Sequence, residues 1–131
     1  GQVLGEIGIV RQRQQAILAL ARAVADGHLV LDGRADPAST LKSLETLPGI
    51  GPWTAQYIAM RALRWPDAWP SGDAVLLQAL GLRGLPAAAA RREADRIARR
   101  WQPWRSYAVI RAWTTPPHLK TSEEIPNEQH P

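Results

Sequence analysis

Apolar residues recur at intervals of three or four along most of the chain, which is the spacing of an amphipathic helix rather than of a strand. The clearest stretch is 11–25, and Gly27 follows it as a candidate C-cap. The apolar positions of that stretch are Ala16, Ile17, Leu20, Ala21 and Val24. Asp36 and Pro37 form an N-cap and first-turn pair ahead of a second helix. That second helix carries a leucine stripe at Leu41, Leu44 and Leu47.

Glycine and proline divide the rest of the chain into four more helices. The predicted helices cover about 52–63, 73–80, 86–101 and 103–115. The connection 65–72 contains two prolines and a glycine and is predicted to be extended and irregular. No strand pattern exceeds three residues, so the predicted fold class is all-α. Residues 1–115 are predicted to form one helical domain, and the polar residues 116–131 to form a loose tail.

The composition is that of a globular chain, with 45% hydrophobic and 21% charged residues and a net charge of +4. The sixteen basic residues include only Lys42 and Lys120, so the basic side is almost entirely arginine. Six Trp and two Tyr are present beside no Phe. An arginine-rich surface with interspersed Trp favours contact with phosphates and bases. A solvated helix face with ion pairs between turns would carry the same charges, so charge alone leaves both interpretations open.

Several classes of protein are excluded at once by residues that are absent. A chain with no Cys holds no disulfide, no Cys-bound zinc, no cysteine nucleophile and no iron–sulfur cluster. No apolar run approaches the roughly 20 residues of a membrane span, and residues 1–10 lack a signal-peptide pattern. The prediction is a soluble, intracellular domain with no membrane partner.

The stretch 47–55, LPGIGPWTA, places two glycines in a four-residue break between predicted helices. Glycine permits a tight turn and leaves the amides near the next helix N-terminus free to face an anion. The candidate phosphate-binding residues are Gly49, Ile50, Gly51 and Thr54. A phosphate backbone fits such a surface without any sequence-specific side chain. An ordinary helical hairpin with glycine caps would show the same pattern, so the motif alone leaves both interpretations open.

This stretch resembles the helix–hairpin–helix of the HhH-GPD superfamily of DNA glycosylases, and within it the bacterial DNA-3-methyladenine glycosylase II group. WPDAWPSGD at 65–73 is similar to the Gly/Pro-rich stretch and downstream Asp after which the superfamily is named. WTAQYIAMRAL at 53–63 and WQPWRSYAVIRAW at 101–113 are similar to two helices of that group, and LGEIGIVRQRQQAI to its middle region. The resemblance covers about residues 4–115, with the motifs in order and at matching separations.

The resemblance places the chain in the C-terminal half of such an enzyme. By the same resemblance, the other half contains an N-terminal β-containing domain, further helices and the side chain that enters the minor groove. The implied partners are double-stranded DNA containing alkylated bases and the missing N-terminal half, which in some relatives is fused to an alkylation-response regulator. The implied location is the bacterial cytoplasm, in association with the nucleoid.

Asp73 is the catalytic candidate that the resemblance implies. Releasing an alkylated purine passes through an oxocarbenium-like sugar, whose positive charge a neighbouring carboxylate stabilises while it positions or deprotonates a water. An N3- or N7-alkylated purine is already cationic and leaves without protonation, so one carboxylate suffices. From its local sequence alone, Ser-Gly-Asp before an apolar run, Asp73 is an N-cap, and the two roles can coexist.

Trp53, Tyr57 and Trp113 are the residues that the resemblance places around the flipped base. Trp53 and Tyr57 are four positions apart and share a helix face, although rings at that spacing are more often part of a core. A cationic purine gains cation–π attraction from indole and phenol rings that a normal base does not. The other aromatic residues are assigned elsewhere: Trp101, Trp104 and Tyr107 to packing, and Trp65 and Trp69 to the loop.

No cofactor is predicted, because the chain has no HExxH, no His/Asp cluster and no nucleotide-binding loop. A sodium or potassium ion at the hairpin carbonyls is implied by the resemblance alone. Trp53 stands where lyase-competent relatives carry a Schiff-base lysine, so a monofunctional hydrolase is expected. The alternative is a non-catalytic helix–hairpin–helix module that only holds DNA phosphates. A phosphate clamp would need neither Asp73 nor the three rings.

Overall fold

Seven α-helices and one 3-10 turn make up the computed structural model, which describes residues 2–115. The helices are α1 Gln2–Glu6, α2 Arg11–Ala25, α3 Pro37–Glu45, α4 Pro52–Arg61, α5 Ala74–Ala79, α6 Ala87–Ala98 and α7 Arg105–Thr114, and the 3-10 turn is Arg99–Trp101. The described residues contain no strand, so the all-α prediction is confirmed. The tail predicted at 116–131 lies outside the described residues.

Local sequence signals explain most of the helix ends. The Asp36 carboxylate accepts a hydrogen bond from the Ser39 amide at 3.0 Å, as an N-cap does, and Pro37 occupies the first helical position. Gly27, with φ of 72°, follows the last turn of α2 in the left-handed conformation that glycine adopts readily. The helix α1 was not predicted from the sequence. The α4 helix ends two residues before the predicted Leu63, and Arg64 reverses the chain with φ of 53°.

Two apolar clusters form the interior, and α4 contributes to both. The hairpin core contains the buried residues Leu29, Leu44, Ile50 and Ala55. The C-terminal core contains Met60, Ala68, Trp69, Leu76, Ala94, Ala98 and Val109. The helix α6 presents a stripe of fully buried alanines at Ala90, Ala94 and Ala98. Small side chains at this spacing allow neighbouring elements to approach α6 closely.

The helix α2 is only half covered. None of its residues is buried, and the apolar side chains of Ile17 and Val24 are each 42% exposed. Its apolar packing on the hairpin core runs through Ala16, Leu20 and Ala23.

Polar contacts fix α7 to the irregular connection at 65–72. Arg105 and Asp67 form a two-pronged ion pair, with Nε to Oδ1 at 2.7 Å and Nη2 to Oδ2 at 2.9 Å. Next to it the buried Ser106 hydroxyl donates to the Trp65 carbonyl at 2.6 Å and accepts from the Ala68 amide at 2.8 Å. These contacts join parts of the chain 38 to 41 residues apart and determine where α7 lies.

The structure changes the assignment of two aromatic residues and adds to that of a third. Trp69 lies in the connection at 65–72, as predicted, but it is only 6% exposed and belongs to the C-terminal core. Trp104 and Tyr107, assigned to packing, are 58% and 64% exposed. Trp104 precedes α7 and Tyr107 lies in its first turn. Trp101 does pack against the C-terminal core, as predicted.

Candidate active site

The first turns of α4 provide two of the predicted site residues. Trp53 and Tyr57, one turn apart, stack with their ring centroids 5.4 Å apart and their planes within 9° of parallel. Pro52 at the first helical position and Gly51 at the N-cap start this helix directly after the hairpin. The guanidinium carbon of Arg61 lies 5.7 Å from the Tyr57 ring centroid, within the range of a cation–π contact.

Trp113, from the last turn of α7, completes a cluster of three rings. Its ring centroid lies 6.3 Å from that of Trp53 and 5.9 Å from that of Tyr57, at tilts of 37° and 39°. These separations are typical of attractive aromatic pairs. The sequence separates Trp113 from the other two by more than fifty residues, so the cluster depends on how α7 packs.

Asp73 lies at the centre of this cluster. Its Oδ1 accepts a hydrogen bond from Trp53 Nε1 at 2.9 Å, and its Oδ2 accepts one from Trp113 Nε1 at 3.0 Å. Oδ2 also accepts from the Leu76 amide at 3.0 Å, which makes Asp73 the N-cap of α5. The predicted cap is therefore present together with a second role, since the carboxylate also orients two indole rings.

The hydrogen bonds of Asp73 leave a limited capacity for further donors. An ionised carboxylate has about four acceptor positions. Three are taken, one on Oδ1 and two on Oδ2. About one position, on Oδ1, is left for a donor such as a water molecule. The carboxylate thus has a fixed orientation and room for about one more polar contact.

The aromatic cluster is open to solvent. Trp53 is 40% exposed and Tyr57 is 36% exposed, although both are large rings in contact with two others. Rings buried in a core would show only a few per cent, as Trp69 does. The structure therefore brings together Asp73, Trp53, Tyr57 and Trp113 at an accessible surface rather than inside a core.

A second polar network supports the loop before Asp73, and sequence reasoning missed it. The Asp95 carboxylate accepts hydrogen bonds from Trp69 Nε1 at 2.9 Å and from the Ser71 hydroxyl at 2.6 Å. Arg91 Nε donates to the same hydroxyl at 3.0 Å. Asp95 is one of two acidic residues in an arginine-rich stretch, and nothing in its local pattern distinguishes it from a residue of a surface ion pair. Only the packing of α6 against the loop shows that it positions the segment leading to Asp73.

The hairpin residues pack as a tight turn against α2. Gly49 has φ of 78°, and a Cβ placed on it would lie 3.0 Å from the Cβ of Ala16. The Ile50 side chain is buried in the hairpin core, and its amide donates to the Leu47 carbonyl at 3.2 Å. The Ile50 amide is therefore used within the turn, while a Cβ at Gly51 would meet nothing within 4 Å. Gly51, the N-cap of α4, therefore lies on the open side of the hairpin, and Thr54 follows half-buried in the first turn of that helix.

No matching protein-family model was found for this chain. Over 114 residues, or 87% of the chain, it is 46% identical to the probable bifunctional transcriptional activator/DNA repair enzyme AlkA of Mycobacterium tuberculosis. Over 114 residues it is 37% identical to DNA-3-methyladenine glycosylase 2 of Escherichia coli, and over 113 residues 33% identical to DNA-3-methyladenine glycosylase of Bacillus subtilis. The chain is homologous to part of the DNA-3-methyladenine glycosylases. The resemblance inferred from the sequence motifs is thereby confirmed.

This glycosylase homologue spans only a fraction of the relatives that it matches. It covers 23% of the Mycobacterium tuberculosis protein, 38% of the Escherichia coli protein and 37% of the Bacillus subtilis protein. Among its described residues no group of three or more His, Cys, Asp or Glu could hold a metal ion. No helix within 2–115 is long and apolar enough to cross a membrane.

Proposed function

We propose that this chain forms the part of a DNA glycosylase that binds an alkylated purine and hydrolyses its N-glycosidic bond, with Asp73 as the catalytic carboxylate. The observation that carries the proposal is the Asp73 carboxylate, held by the indoles of Trp53 and Trp113 at an exposed cluster of three rings. A carboxylate that acted only as an N-cap would need neither indole. The partner proposed is double-stranded DNA that contains alkylated bases.

The reaction needs little acid catalysis. The bond between C1′ and the purine nitrogen breaks, and its electron pair neutralises the cationic base. The sugar becomes oxocarbenium-like, and the Asp73 carboxylate stabilises the developing positive charge. A water held at the remaining Oδ1 position adds to C1′, and its proton passes to the carboxylate or to solvent. No lysine within the described residues 2–115 hydrogen-bonds to Asp73, and on that basis we propose simple hydrolysis without a lyase step.

Selectivity for alkylated purines follows from the rings. A flipped cationic base that stacks on Trp53, Tyr57 or Trp113 gains cation–π attraction in addition to ordinary stacking. Stacking on one aromatic ring is worth about 1–3 kcal/mol per base, which is comparable to the few kcal/mol needed to extrude it. Because a neutral base gains less, the cluster favours damaged purines without a hydrogen-bonding code.

The hairpin is the proposed site of phosphate contact. The backbone at Gly49, Ile50, Gly51 and Thr54 forms the turn and the start of α4, and helix N-termini favour anions. Of these residues, Gly51 and Thr54 are the better placed, since the Ile50 amide already donates within the turn. The carbonyls of Pro48, Gly49 and Ile50 accept no hydrogen bond from the described residues, and such oxygens suit hard cations. A sodium or potassium ion bound there would add positive charge next to a phosphate.

The test is release of base from alkylated duplex DNA by the parent chain and by Asp73→Asn. Asparagine is as good an N-cap as aspartate, so α5 should persist while base release falls at least about a hundredfold. Asp36→Asn is the matched control, because Asp36 is also an N-cap but contacts no indole. Its base release should equal that of the parent chain.

A chimera extends the test to the case in which the chain alone releases no base. In it this chain replaces the homologous segment of the Escherichia coli enzyme, and the same pair of variants is compared. Base release that depends on Asp73 in the chimera would support the assignment. If Asp73→Asn retains release there, Asp73 is only a cap. Salt-dependent DNA binding with no release in either form would favour the binding-module alternative.

A further inference from the structure

A second group of exposed aromatic residues lies on α7, away from Asp73. Trp104 and Tyr107 have ring centroids 6.1 Å apart at a tilt of 57°, and both are more exposed than Trp53 and Tyr57. They line a shallow groove of about 440 Å³, which we call the Trp104 groove. Its main lining residues are Arg100, Trp101, Trp104, Tyr107, Ala108 and Arg111. Exposed aromatic side chains grouped in this way mark a binding surface.

The Trp104 groove is a different surface from the site at Asp73. Tyr107 and Trp113 are six residues apart on α7, which places them about 120° apart around the helix axis. Trp113 turns inward to Asp73, whereas Tyr107 faces outward. Trp101 fixes one wall of the groove, because it packs against the C-terminal core and meets Trp69 edge-on at 6.0 Å.

The charge of the groove is positive. Three ion pairs are present within 2–115: Asp32 with Arg34, Glu93 with Arg96, and Asp67 with Arg105. Arg100 and Arg111 have no carboxylate within ion-pair distance among the described residues, and the longer-range charge of Arg100 helps to lower the pKa of Glu93, whose ion-pair partner is Arg96. Two guanidinium groups therefore flank two exposed rings and are available to an anionic ligand.

We propose that the Trp104 groove binds single-stranded nucleic acid, with an unpaired base stacked on Trp104 or Tyr107 and phosphates contacted by Arg100 and Arg111. Aromatic platforms beside positive charge are the usual means of binding single strands without sequence preference, because every base has a stacking face and every nucleotide a phosphate. The groove has the volume of a small-ligand site, enough to hold one nucleotide. This binding is separate from base release at Asp73.

Photocrosslinking locates the contact directly. The probe is a twelve-residue oligothymidylate with 5-iodouracil at one position, irradiated with the parent chain and mapped by peptide mass spectrometry. Crosslinks at Trp104 or Tyr107 are expected, since the reaction favours an aromatic ring that stacks on the base. Crosslinks found only at Trp53, Tyr57 or Trp113 would overturn the proposal, as would the absence of any crosslink.

Affinity for the unmodified labelled oligothymidylate gives the second measurement. The double variant Trp104→Ala with Tyr107→Ala should bind about tenfold more weakly, and Trp104→Phe with Tyr107→Phe should retain most of the affinity. Both residues are exposed, so neither pair should alter the fold, and circular dichroism checks this. Unchanged affinity in the alanine pair would refute the groove. A third outcome is that the parent chain sediments as a dimer, the alanine pair sediments as a monomer, and both bind the oligothymidylate equally. In that case a second copy of the chain occupies the groove and the proposal is wrong.

Salt dependence separates a specific phosphate contact from net charge. Replacing Arg100 and Arg111 by Gln should reduce the slope of log affinity against log salt by about 1.4, since each single-strand phosphate contact contributes about 0.7. Arg22→Gln with Lys42→Gln removes the same charge elsewhere on the surface and should leave the slope unchanged. Equal slopes for the two pairs would show that the binding is diffuse and would overturn the proposal. Asp73→Asn should bind the oligothymidylate like the parent chain, so failure of base release and failure of this groove are distinguishable.

Discussion

The stability of the fold should be sensitive to the ion pair between Asp67 and Arg105. The two side chains are only 13% and 19% exposed, and the Asp67 carboxylate meets Arg105 through both of its oxygens. Asp67→Asn keeps the shape of the side chain but removes its charge, which leaves the guanidinium largely buried without an anion. Removing one partner of a fully buried pair costs about 3–5 kcal/mol. Because this pair keeps some contact with water, we expect a loss of about 2–3 kcal/mol.

Urea denaturation measures this loss. With a slope of about 1–3 kcal/mol per molar for a small domain, the midpoint should fall by about 0.7–3 M. The matched control is Glu93→Gln, which breaks the ion pair between Glu93 and Arg96. Those side chains are 37% and 52% exposed, so the control should lose no more than about 0.5 kcal/mol. If the two variants lose equal stability, burial does not strengthen the Asp67 pair and the reasoning is wrong.

The pH dependence of the same pair has a definite sign. Burial of Asp67 opposes its ionisation, but the hydrogen bonds and charge of Arg105 outweigh burial and lower the pKa of Asp67. A carboxyl whose pKa is lower in the folded state contributes stability above its unfolded pKa of about 3.9 and loses it as the pH falls through the folded pKa. The stability difference between parent and Asp67→Asn should therefore be constant from pH 5 to 7 and shrink below about pH 4. A difference that stays constant down to pH 2 would contradict this.

Two further substitutions test how the backbone is held. Gly49→Ala should destabilise the chain by about 1–3 kcal/mol in thermal unfolding, because it puts a side chain at φ of 78° and 3.0 Å from the Cβ of Ala16 in α2. The control Gly51→Ala, at φ of −89° in open space, should be neutral or slightly stabilising. Equal effects would show that the turn tolerates a side chain at Gly49. Ser106→Ala should cost about 2–4 kcal/mol, because it leaves the buried Ala68 amide and the partly buried Trp65 carbonyl without their partner. The control Ser43→Ala, at an exposed serine, should change stability by no more than about 0.5 kcal/mol. A loss at Ser106 no larger than at Ser43 would mean that water replaces the hydroxyl.

Several local features could be predicted from the sequence because they depend on neighbouring residues alone. The periodicity of α2 and the cap at Asp36 follow from spacings of three or four residues, within which a helix brings side chains together. The glycine at Gly49 was also predictable, since a four-residue break between helices requires a backbone that permits positive φ. Asp73 was predicted as a cap on the same local grounds, and the cap is present.

The sequence could not show which aromatic residues would be buried and which would be exposed. Trp69 and Trp104 both lie beside a proline, yet one belongs to the core and the other to the surface. The difference depends on the direction in which α6 and α7 cross the connection at 65–72. That direction is determined by contacts across about forty residues, such as the one between Asp67 and Arg105.

The sequence by itself thus determined six of the seven described helices with approximate ends, the hairpin and, through its motifs, the homology to DNA-3-methyladenine glycosylases. Only the tertiary structure decided that Trp53 and Trp113 both donate to Asp73, and that Trp104 and Tyr107 form a separate exposed groove. The physical reason is the range of the interactions. Helix formation and capping depend on residues within one turn of each other, whereas a site built from α4, α5 and α7 depends on side-chain packing between segments distant in sequence.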